Sequence, residues 1–357
     1  MALNEVDTSF YDELFSANIT EKAPYVSVLM ITYNHEKYII QAVSTILEQT
    51  YTNFELIISD DTSPDNTQKV LLNYLCDYKG HIPIRYIRLH NNCHRHGTVF
   101  QRFARGELLL TMDGDDFSMP HRLQRTVELW DSLEPKPSIM QVNALRYIDA
   151  TGELEGKAVN INGMEGGRRY FPPQYPLEAN FPPFGSAMVR SRAFYEWTRR
   201  LDNSHSVIAG DSLIACRALL HNGIWLIDEP LFYYRVNVGS VSFGGVANKR
   251  WILDRLTRFQ ILEQDYKMLS PKGEIPSNIL KKLHHIQRRM KWGAKLIDCS
   301  FLLWLLYWPV YCIISWSSAK NALKARVKLF LFGNVDGSFS KGNVFSFRNV
   351  LKGIKGK

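Results

Sequence analysis

The sequence lacks the common phosphate-binding loops. It contains neither GxxxxGK(S/T) nor GxGxxG, which excludes a P-loop and a dinucleotide-binding fingerprint. Its five cysteines are scattered and include no CxxC pair, so we expect reduced thiols in a cytosolic setting rather than a disulfide framework or a zinc site. The first basic residue is Lys22, and residues 5–13 already hold four acids, so no secretory signal is predicted at the start of the chain.

Acidic residues are scarce at the C-terminal end. Residues 280–357 carry 15 Lys and Arg against only Asp298 and Asp336, whereas residues 1–279 carry 28 basic and 33 acidic residues. A slightly acidic body joined to a strongly basic end predicts that this end meets something anionic, either nucleic acid or lipid.

Charge is absent altogether from residues 299–319. Their apolar part, 301–316, would span about 24 Å as a helix, less than the roughly 30 Å hydrocarbon core of a bilayer, and Pro309 interrupts it. Two basic amphipathic stretches follow, so we expect a segment that lies in or dips into one leaflet of an anionic membrane. A helical cap on the rest of the chain or on a second subunit is the alternative. A nucleic-acid tail is disfavoured, because uncharged Trp and Leu runs gain nothing from phosphates.

Strand-like and helix-like segments alternate along the first half of the chain, which predicts an α/β fold with a parallel, doubly wound sheet. Strands are predicted at 25–32, 54–59, 83–89, 107–112 and within 138–149, and helices at 36–48, 67–78, 120–133, 247–268 and 276–298. The first residues form a polar leader, for which one short helix is predicted at 10–15.

Polar residues follow three of the predicted strands at the edge where such sheets bind ligands. Thr32 ends the first strand, Asp60 and Asp61 the second, and the fourth is followed by Asp113-Gly114-Asp115-Asp116, which we call the acidic turn. Ionised carboxylates so close together repel one another, and a hard cation such as Mg²⁺ or Mn²⁺ would relieve that repulsion and hold a diphosphate. A solvated acidic turn is the alternative for these four residues alone, but the three converging strand ends favour a site.

Two later charged residues are further candidates. Asp211 falls at or near a predicted helix N-terminus, where an Asp is usually a cap. Arg235 lies on a predicted strand and would stabilise a departing diphosphate if it stood near phosphates, with a plain surface ion pair as the alternative. For residues 94–96, His-Arg-His, a solvated loop is favoured over contact with a ligand.

These segments together resemble the family 2 inverting glycosyltransferases with the GT-A fold, a Rossmann-like doubly wound mixed sheet. The resemblance covers roughly residues 25–240 and its pieces occur in the family order. They are Val26-Ser-Val-Leu-Met-Ile-Thr-Tyr-Asn34, Leu47-Glu-Gln-Thr-Tyr51, Phe54-Glu-Leu-Ile-Ile-Ser-Asp-Asp-Thr-Ser63, Gly106-Glu-Leu-Leu-Leu-Thr-Met-Asp-Gly-Asp-Asp116 and Gly210-Asp211.

The resemblance implies a role for each candidate. Thr32 and Asp61 would contact the nucleoside of a sugar nucleotide, and Asp113 would lie near the ribose or the metal. Asp115 would bind Mn²⁺ or Mg²⁺ bridging the diphosphate. Asp211 would be the general base that takes the proton of the acceptor hydroxyl, so that attack from the opposite face inverts the anomeric centre.

Two positions depart from the family pattern. Gly210 stands where the family often has Glu, but Asp211 is retained and so is its role. Asn237 stands where the family often has His, two residues after Arg235, which puts an additional metal or phosphate contact from that position in doubt. Arg235 itself is kept among the donor-binding residues.

We therefore expect four regions: a leader (1–23), a GT-A domain (24–245), a helical extension (246–298) and a basic amphipathic, membrane-associating tail (299–357). The predicted function is metal-dependent transfer of a hexosyl or N-acetylhexosaminyl group from a nucleotide sugar to a hydroxyl of a lipid-linked glycan, in polysaccharide, O-antigen or capsule biosynthesis.

The expected location is the cytoplasmic face of the plasma membrane, as a peripheral or monotopic protein without a nucleic-acid partner, and a homo-oligomer is compatible with the sequence. One alternative is a catalytically silent scaffold that binds sugar nucleotides, against which the retained carboxylates argue. The other is a nucleotidyltransferase, which would be expected to carry a Gly-rich loop after the first strand; none is present.

Overall fold

The computed structural model describes residues 10–92, 96–158, 167–170, 184–199, 201, 210–236, 249–269, 277–298 and 308–309. The chain divides into two compact units. One comprises Met1–Ser240 and Asp254–Gln287, and the other comprises Val241–Leu253 and Arg288–Lys357. The four regions expected from the sequence stay a prediction, and the charge-free segment with the basic tail falls almost entirely outside the described residues.

The described strands form one mixed sheet in the order β1-β4-β3-β2-β5-β10-β7-β11-β6, with β8 paired to β7 and β9 paired to β11. The strands are β1 (Tyr11–Ala17), β2 (Val26–Thr32), β3 (Phe54–Asp60), β4 (Ile84–Leu89), β5 (Leu108–Asp113), β6 (Phe117–Ser118), β7 (Ile139–Ile148), β8 (Glu153–Lys157), β9 (Arg168–Tyr170), β10 (Met188–Ser191) and β11 (Ile224–Val236).

The described helices are α1 (Ile39–Leu47), α2 (Thr67–Cys76), α3 (His96–Phe103), α4 (Arg122–Ser132), α5 (Phe184–Ala187), α6 (Arg192–Thr198), α7 (Gly210–Leu220), α8 (Lys249–Leu269) and α9 (Ser277–Asp298). Within the described part of the chain, no helix is both long enough and apolar enough to cross a membrane.

The parallel part of the sheet consists of β4, β3, β2 and β5, in that order. The chain passes from β2 through β3 to β4 on one side and then returns to place β5 on the other side of β2. The strand order therefore reverses between β2 and β5, and in open α/β sheets ligands bind at such a reversal, beyond the carboxyl ends of the strands.

Both faces of these strands are covered, which explains their nearly continuous apolar sequences. Successive residues of β2 point to opposite faces of the sheet. Met30 packs in one buried cluster with Ile39 and Ile46 of α1. Leu29 packs in another with Val99 of α3. Each such side chain contributes about 1.5–3 kcal/mol by leaving water, so the sheet edge that carries the candidate residues rests on a rigid core.

The structure corrects the prediction of a helix at 10–15. Tyr11–Ala17 is instead the edge strand β1, antiparallel to β4. The apolar residues Tyr11, Leu14 and Phe15 have helix-like spacing, but pairing with a strand about 70 residues away decides the conformation. The predicted strands and helices of the parallel region are confirmed, and the mixed α/β fold agrees with expectation.

Candidate active site

The ends of β2, β3 and β5 bring the first candidates together. Thr32 is in register with Asp60, and Ile31 with Asp113. Thr32 is fully buried, and its carbonyl oxygen accepts a hydrogen bond from the backbone N–H of Asp61 at 3.0 Å. Adjacent parallel strands are about 4.7–4.9 Å apart, so these residues line a single edge of the sheet.

The two neighbouring carboxylates at the end of β3, Asp60 and Asp61, differ in their surroundings. Asp60 accepts hydrogen bonds from Ser63, from the hydroxyl of Tyr86 at 2.8 Å and from Arg88 at 2.9 Å. It therefore holds the loop after β3. The carboxylate of Asp61 is also buried, and an imidazole is among its neighbours.

That imidazole belongs to His96, at the start of α3. Its Nε2 lies 3.6 Å from Asp61 Oδ2, and its Nδ1 lies 2.8 Å from the hydroxyl oxygen of Ser59. His96 is only 7% exposed, so the solvated loop favoured from the sequence is wrong at this residue. The two residues before it lie outside the described part of the chain. Its packing against Asp61 depends on the fold, which local sequence does not reveal.

The acidic turn is held by one serine hydroxyl from α5. The backbone N–H of Asp113 donates to Ser186 Oγ at 2.9 Å, and this hydroxyl donates to Asp116 Oδ2 at 2.5 Å. The other oxygen of Asp116 accepts the backbone N–H of Arg235 at 2.9 Å. Asp116 is 2% exposed and is therefore the residue that shapes the turn, whereas Asp113 and Asp115 are both partly accessible.

Negative charge is concentrated at this turn. Burial, reinforced by the charges of Asp115 and Asp211, raises the pKa of Asp113 to about 7. Burial, together with the charges of Asp115 and Asp113, raises the pKa of Asp116 well above its ordinary value. The site therefore accumulates carboxylates that favour a positive partner, as expected for residues that hold a cation.

One buried cation lies behind the turn. Arg122 is fully buried, donates to the hydroxyl of Ser118 at 3.0 Å and to the carbonyl of Ser186, and stacks on the ring of Phe232 at 4.7 Å. Burial lowers its pKa to about 10, against the attraction of the acidic turn. It offsets part of the local charge, and nothing in its sequence surroundings indicated this role.

Asp211 lies in the first turn of α7. Its charge contributes to the raised pKa of Asp113, so the two carboxylates are within electrostatic reach of one another although they are about 100 residues apart in sequence. Asp211 therefore adds to the negative charge that acts on the acidic turn. Its role as a base stays a prediction.

His35 is a residue of the site that the sequence reasoning missed. Its Nδ1 lies 3.3 Å from Thr32 Oγ1, and its Nε2 lies 4.0 Å from Asp115 Oδ2. Burial lowers its pKa, although Asp115 opposes that shift. A Cβ on Gly114 would lie 2.8 Å from His35 Nδ1, so the glycine of the acidic turn makes room for the imidazole. Its position three residues after Thr32 was the available signal.

Arg235, near the end of β11, is 4% exposed, and its three nitrogen atoms all donate to protein acceptors. A contact with a diphosphate stays a prediction. Asn237 falls outside the described residues.

The residues at the turn fit a divalent cation through hard carboxylate oxygens, with Asp115 and Asp113 as the ones that would hold it. In the part of the chain that the structure describes, no group of three or more His, Cys, Asp and Glu side chains is arranged to enclose a metal ion. A cation at this turn would therefore need further ligands, such as phosphate oxygens or water.

Comparisons with known proteins agree with this geometry. Residues 27–196 match the family model described as glycosyl transferase family 2. The chain is 35% identical over 182 residues to the putative glycosyltransferase EpsE of Bacillus subtilis, covering 48% of this chain and 58% of that protein. It is 31% identical over 109 residues to WfgD of Escherichia coli, a UDP-Glc:alpha-D-GlcNAc-diphosphoundecaprenol beta-1,3-glucosyltransferase, covering 29% of this chain and 40% of that protein. The chain thus spans less than two thirds of the length of either relative.

A solved structure has a similar fold. Residues 1–349 of Staphylococcus aureus TarS superpose with a TM-score of 0.57 at 14% identity, covering 89% of this chain and 97% of that one. The same protein in complex with UDP-GlcNAc gives a TM-score of 0.54. At this identity the likeness concerns the fold, and it supports the GT-A-like arrangement of the sheet.

Proposed function

Residues 27–196 are a glycosyltransferase family 2 domain, and on that premise we propose that the chain is an enzyme that transfers a sugar from a nucleotide-sugar donor to a hydroxyl of a glycan acceptor. The observation that carries the proposal is the convergence of Thr32, Asp61 and the acidic turn at the carboxyl ends of β2, β3 and β5. The charge of Asp211 also acts on Asp113. A carboxylate beside the donor site is what the acceptor hydroxyl needs as a proton acceptor.

The donor would lie at the reversal point between β2 and β5. Thr32 and Asp61 would contact its nucleoside, and Asp113 and Asp115 its ribose and diphosphate. Mn²⁺ or Mg²⁺, when bound, would neutralise charge on the departing diphosphate, and Asp115 with Asp113 would hold it.

The acceptor hydroxyl would approach from the face opposite the leaving group. Asp211 would accept its proton while the hydroxyl oxygen bonds to the anomeric carbon and the bond to the diphosphate breaks, so the configuration inverts. Asp113 and Asp115 would remain with the leaving group. In this scheme Asp113 and Asp115 would bind the donor, and Asp211 would take the proton.

We further propose a lipid-linked acceptor in polysaccharide assembly at the cytoplasmic face of the membrane. The relative WfgD is named for a GlcNAc-diphosphoundecaprenol acceptor, and residues 280–357 carry a strong excess of positive charge. Basic segments of this kind are attracted to anionic lipid surfaces.

The test uses the full chain with UDP-, GDP- and dTDP-sugars, with and without Mn²⁺. Thermal shift reports binding, and release of nucleoside diphosphate reports turnover. We expect Asp211→Asn to keep donor binding and lose turnover by about 10²–10⁴-fold, the typical contribution of a general base. Asp12→Asn, an exposed carboxylate on β1, is the matched control and should keep both.

Two results would count against the proposal. Wild-type turnover in the Asp211 variant would remove that residue as the base. Donor binding by the wild type without transfer to any lipid-linked or free glycan would favour the silent scaffold.

A further inference from the structure

The guanidinium of Arg235 is enclosed by three aromatic rings. Its central carbon lies 4.6 Å from the ring centroid of Tyr38, 5.1 Å from that of Phe117 and 5.0 Å from that of Tyr147. These residues belong to segments that are far apart in sequence. A cation within about 6 Å of several ring faces is held by each of them, so this guanidinium has a fixed position.

Hydrogen bonds fix its orientation as well. One terminal nitrogen donates to Asp149 Oδ1 at 2.6 Å, and the other donates to Gln41 Oε1 at 2.5 Å. The second oxygen of Asp149 accepts the hydroxyl of Tyr38 at 2.8 Å. Asp149 thus neutralises the arginine and ties one wall of its aromatic enclosure in place.

The same arginine holds the acidic turn at two points. Its Nε donates to the carbonyl oxygen of Asp115 at 2.7 Å, and its backbone N–H donates to Asp116 Oδ1 at 2.9 Å. The direction in which the Asp115 side chain leaves the turn is set by the peptide that Arg235 binds.

We propose that Arg235 is a positioning residue, which sets the geometry of the acidic turn and so acts on the donor through Asp115 rather than by contact with the diphosphate. This inference rests on the proposed function, because it assumes that Asp115 serves a nucleotide-sugar donor. It assigns a supporting role to Asp149, which lies after β7 and outside the three strand ends that form the site.

The two roles for Arg235 give opposite results when Asp149 is neutralised. If Arg235 served the diphosphate directly, Asp149 would compete for it, and Asp149→Asn would free the guanidinium and strengthen donor binding. If Arg235 positions the turn, the same change loosens its anchor and weakens donor binding. Mutation of a residue that orients a metal ligand typically lowers metal affinity or activity by about 10- to 100-fold.

The experiment measures the affinity of the full chain for UDP, GDP and dTDP in the presence of Mn²⁺, together with KM and kcat for the donor that turns over. We expect Asp149→Asn to weaken binding of the nucleoside diphosphate about 10-fold or more. Asp131→Asn is the matched control, since Asp131 also accepts a tyrosine hydroxyl, from Tyr25 at 3.0 Å. It should bind as the wild type does.

Arg235→Lys provides a second variant. A lysine keeps the charge that a diphosphate would recognise but loses the planar fork that binds Asp115, Asp149 and Gln41 together. Positioning predicts a loss similar to that of Asp149→Asn, whereas direct contact predicts that most affinity is kept. Binding of the nucleoside without phosphates should be unchanged in both variants, which distinguishes a shifted turn from general misfolding.

Unchanged or tighter nucleoside diphosphate binding by Asp149→Asn would overturn the inference, as would near-wild-type binding by Arg235→Lys. Absence of binding in the wild type would instead overturn the proposed function.

Discussion

Adding one methyl group at Gly185 should impair donor binding while leaving the protein folded. This glycine lies in α5, against the acidic turn. A Cβ built on it would lie 2.9 Å from Asp113 Cγ and closer still to Asp113 Oδ2, whereas ordinary van der Waals contact begins at 3.4 Å. Gly185→Ala therefore requires the Asp113 carboxylate or the α5 backbone to move.

The size of the effect on donor binding depends on whether the Asp113 carboxylate or the α5 backbone moves. The backbone of Gly185 is anchored, because its carbonyl oxygen accepts the hydroxyl of Thr111 at 2.6 Å and the next residue, Ser186, binds the turn. We therefore expect the Asp113 side chain to be displaced. Overpacking of this kind costs about 1–3 kcal/mol of stability, or about 2–4 °C in Tm for each kcal/mol. A displacement of about 1 Å at a reacting site can cost about 10²-fold in rate.

Gly97 is the matched control. It lies in α3, and nothing stands within 4 Å of the position where its Cβ would be. Gly97→Ala should keep donor binding and, since Ala is the better helix former, gain up to about 1 kcal/mol. Both variants are compared by thermal melting and by isothermal titration with the nucleoside diphosphate that the wild type binds. Wild-type donor affinity in a folded Gly185→Ala protein would refute the placement of Asp113 at the donor.

Three further predictions concern stability, pH and membranes. Arg217 of α7 and Asp265 of α8 form a buried ion pair at 2.7 Å. Asp265→Ala should lower the free energy of unfolding by about 3–5 kcal/mol in chemical denaturation, because the arginine stays buried without this carboxylate; a loss below 1 kcal/mol would contradict this. In metal-free protein, Asp113 holds its proton up to about pH 7 but loses it near pH 4 when unfolded. The native state therefore binds more protons than the unfolded state between these values, so the melting temperature should fall as pH rises from 4 to 7. Asp113→Asn should reduce this pH dependence of the melting temperature, and an equal dependence in both proteins would disprove the prediction. Replacing the exposed basic residues of α9 by Gln should reduce sedimentation with anionic liposomes, at about 1 kcal/mol per residue, and leave neutral liposomes unaffected; equal sedimentation would remove α9 from the membrane contact. These basic residues are Lys281, Lys282, Arg288 and Lys291.

The parallel part of the fold was predictable because its signals are local. Apolar runs ending in polar residues give the strands, and Thr32, Asp61 and Asp113 follow from where those runs stop. Edge strand β1 was not predictable in this way, because residues 11–17 have helix-like spacing and only their pairing with β4 makes them a strand.

The supporting part of the site was hidden for the same reason. Arg235 is enclosed by Tyr38, Tyr147 and Asp149, which lie between about 85 and 200 positions away from it in the chain. His96 of α3 is buried against Asp61, which follows β3. The hydrophobic periodicity of a single segment does not indicate such long-range contacts. The sequence indicated the candidate charged residues, and the fold determined which of them bind other parts of the protein.

The hydroxyl of Ser186 has a consequence for how relatives of this chain can diverge. It accepts the backbone N–H of Asp113 and donates its single proton to Asp116, so it joins α5, just before β10, to both ends of the acidic turn. A relative that replaced Ser186 would therefore have to hold both Asp113 and Asp116 by other contacts. We expect this position to change only together with the acidic turn.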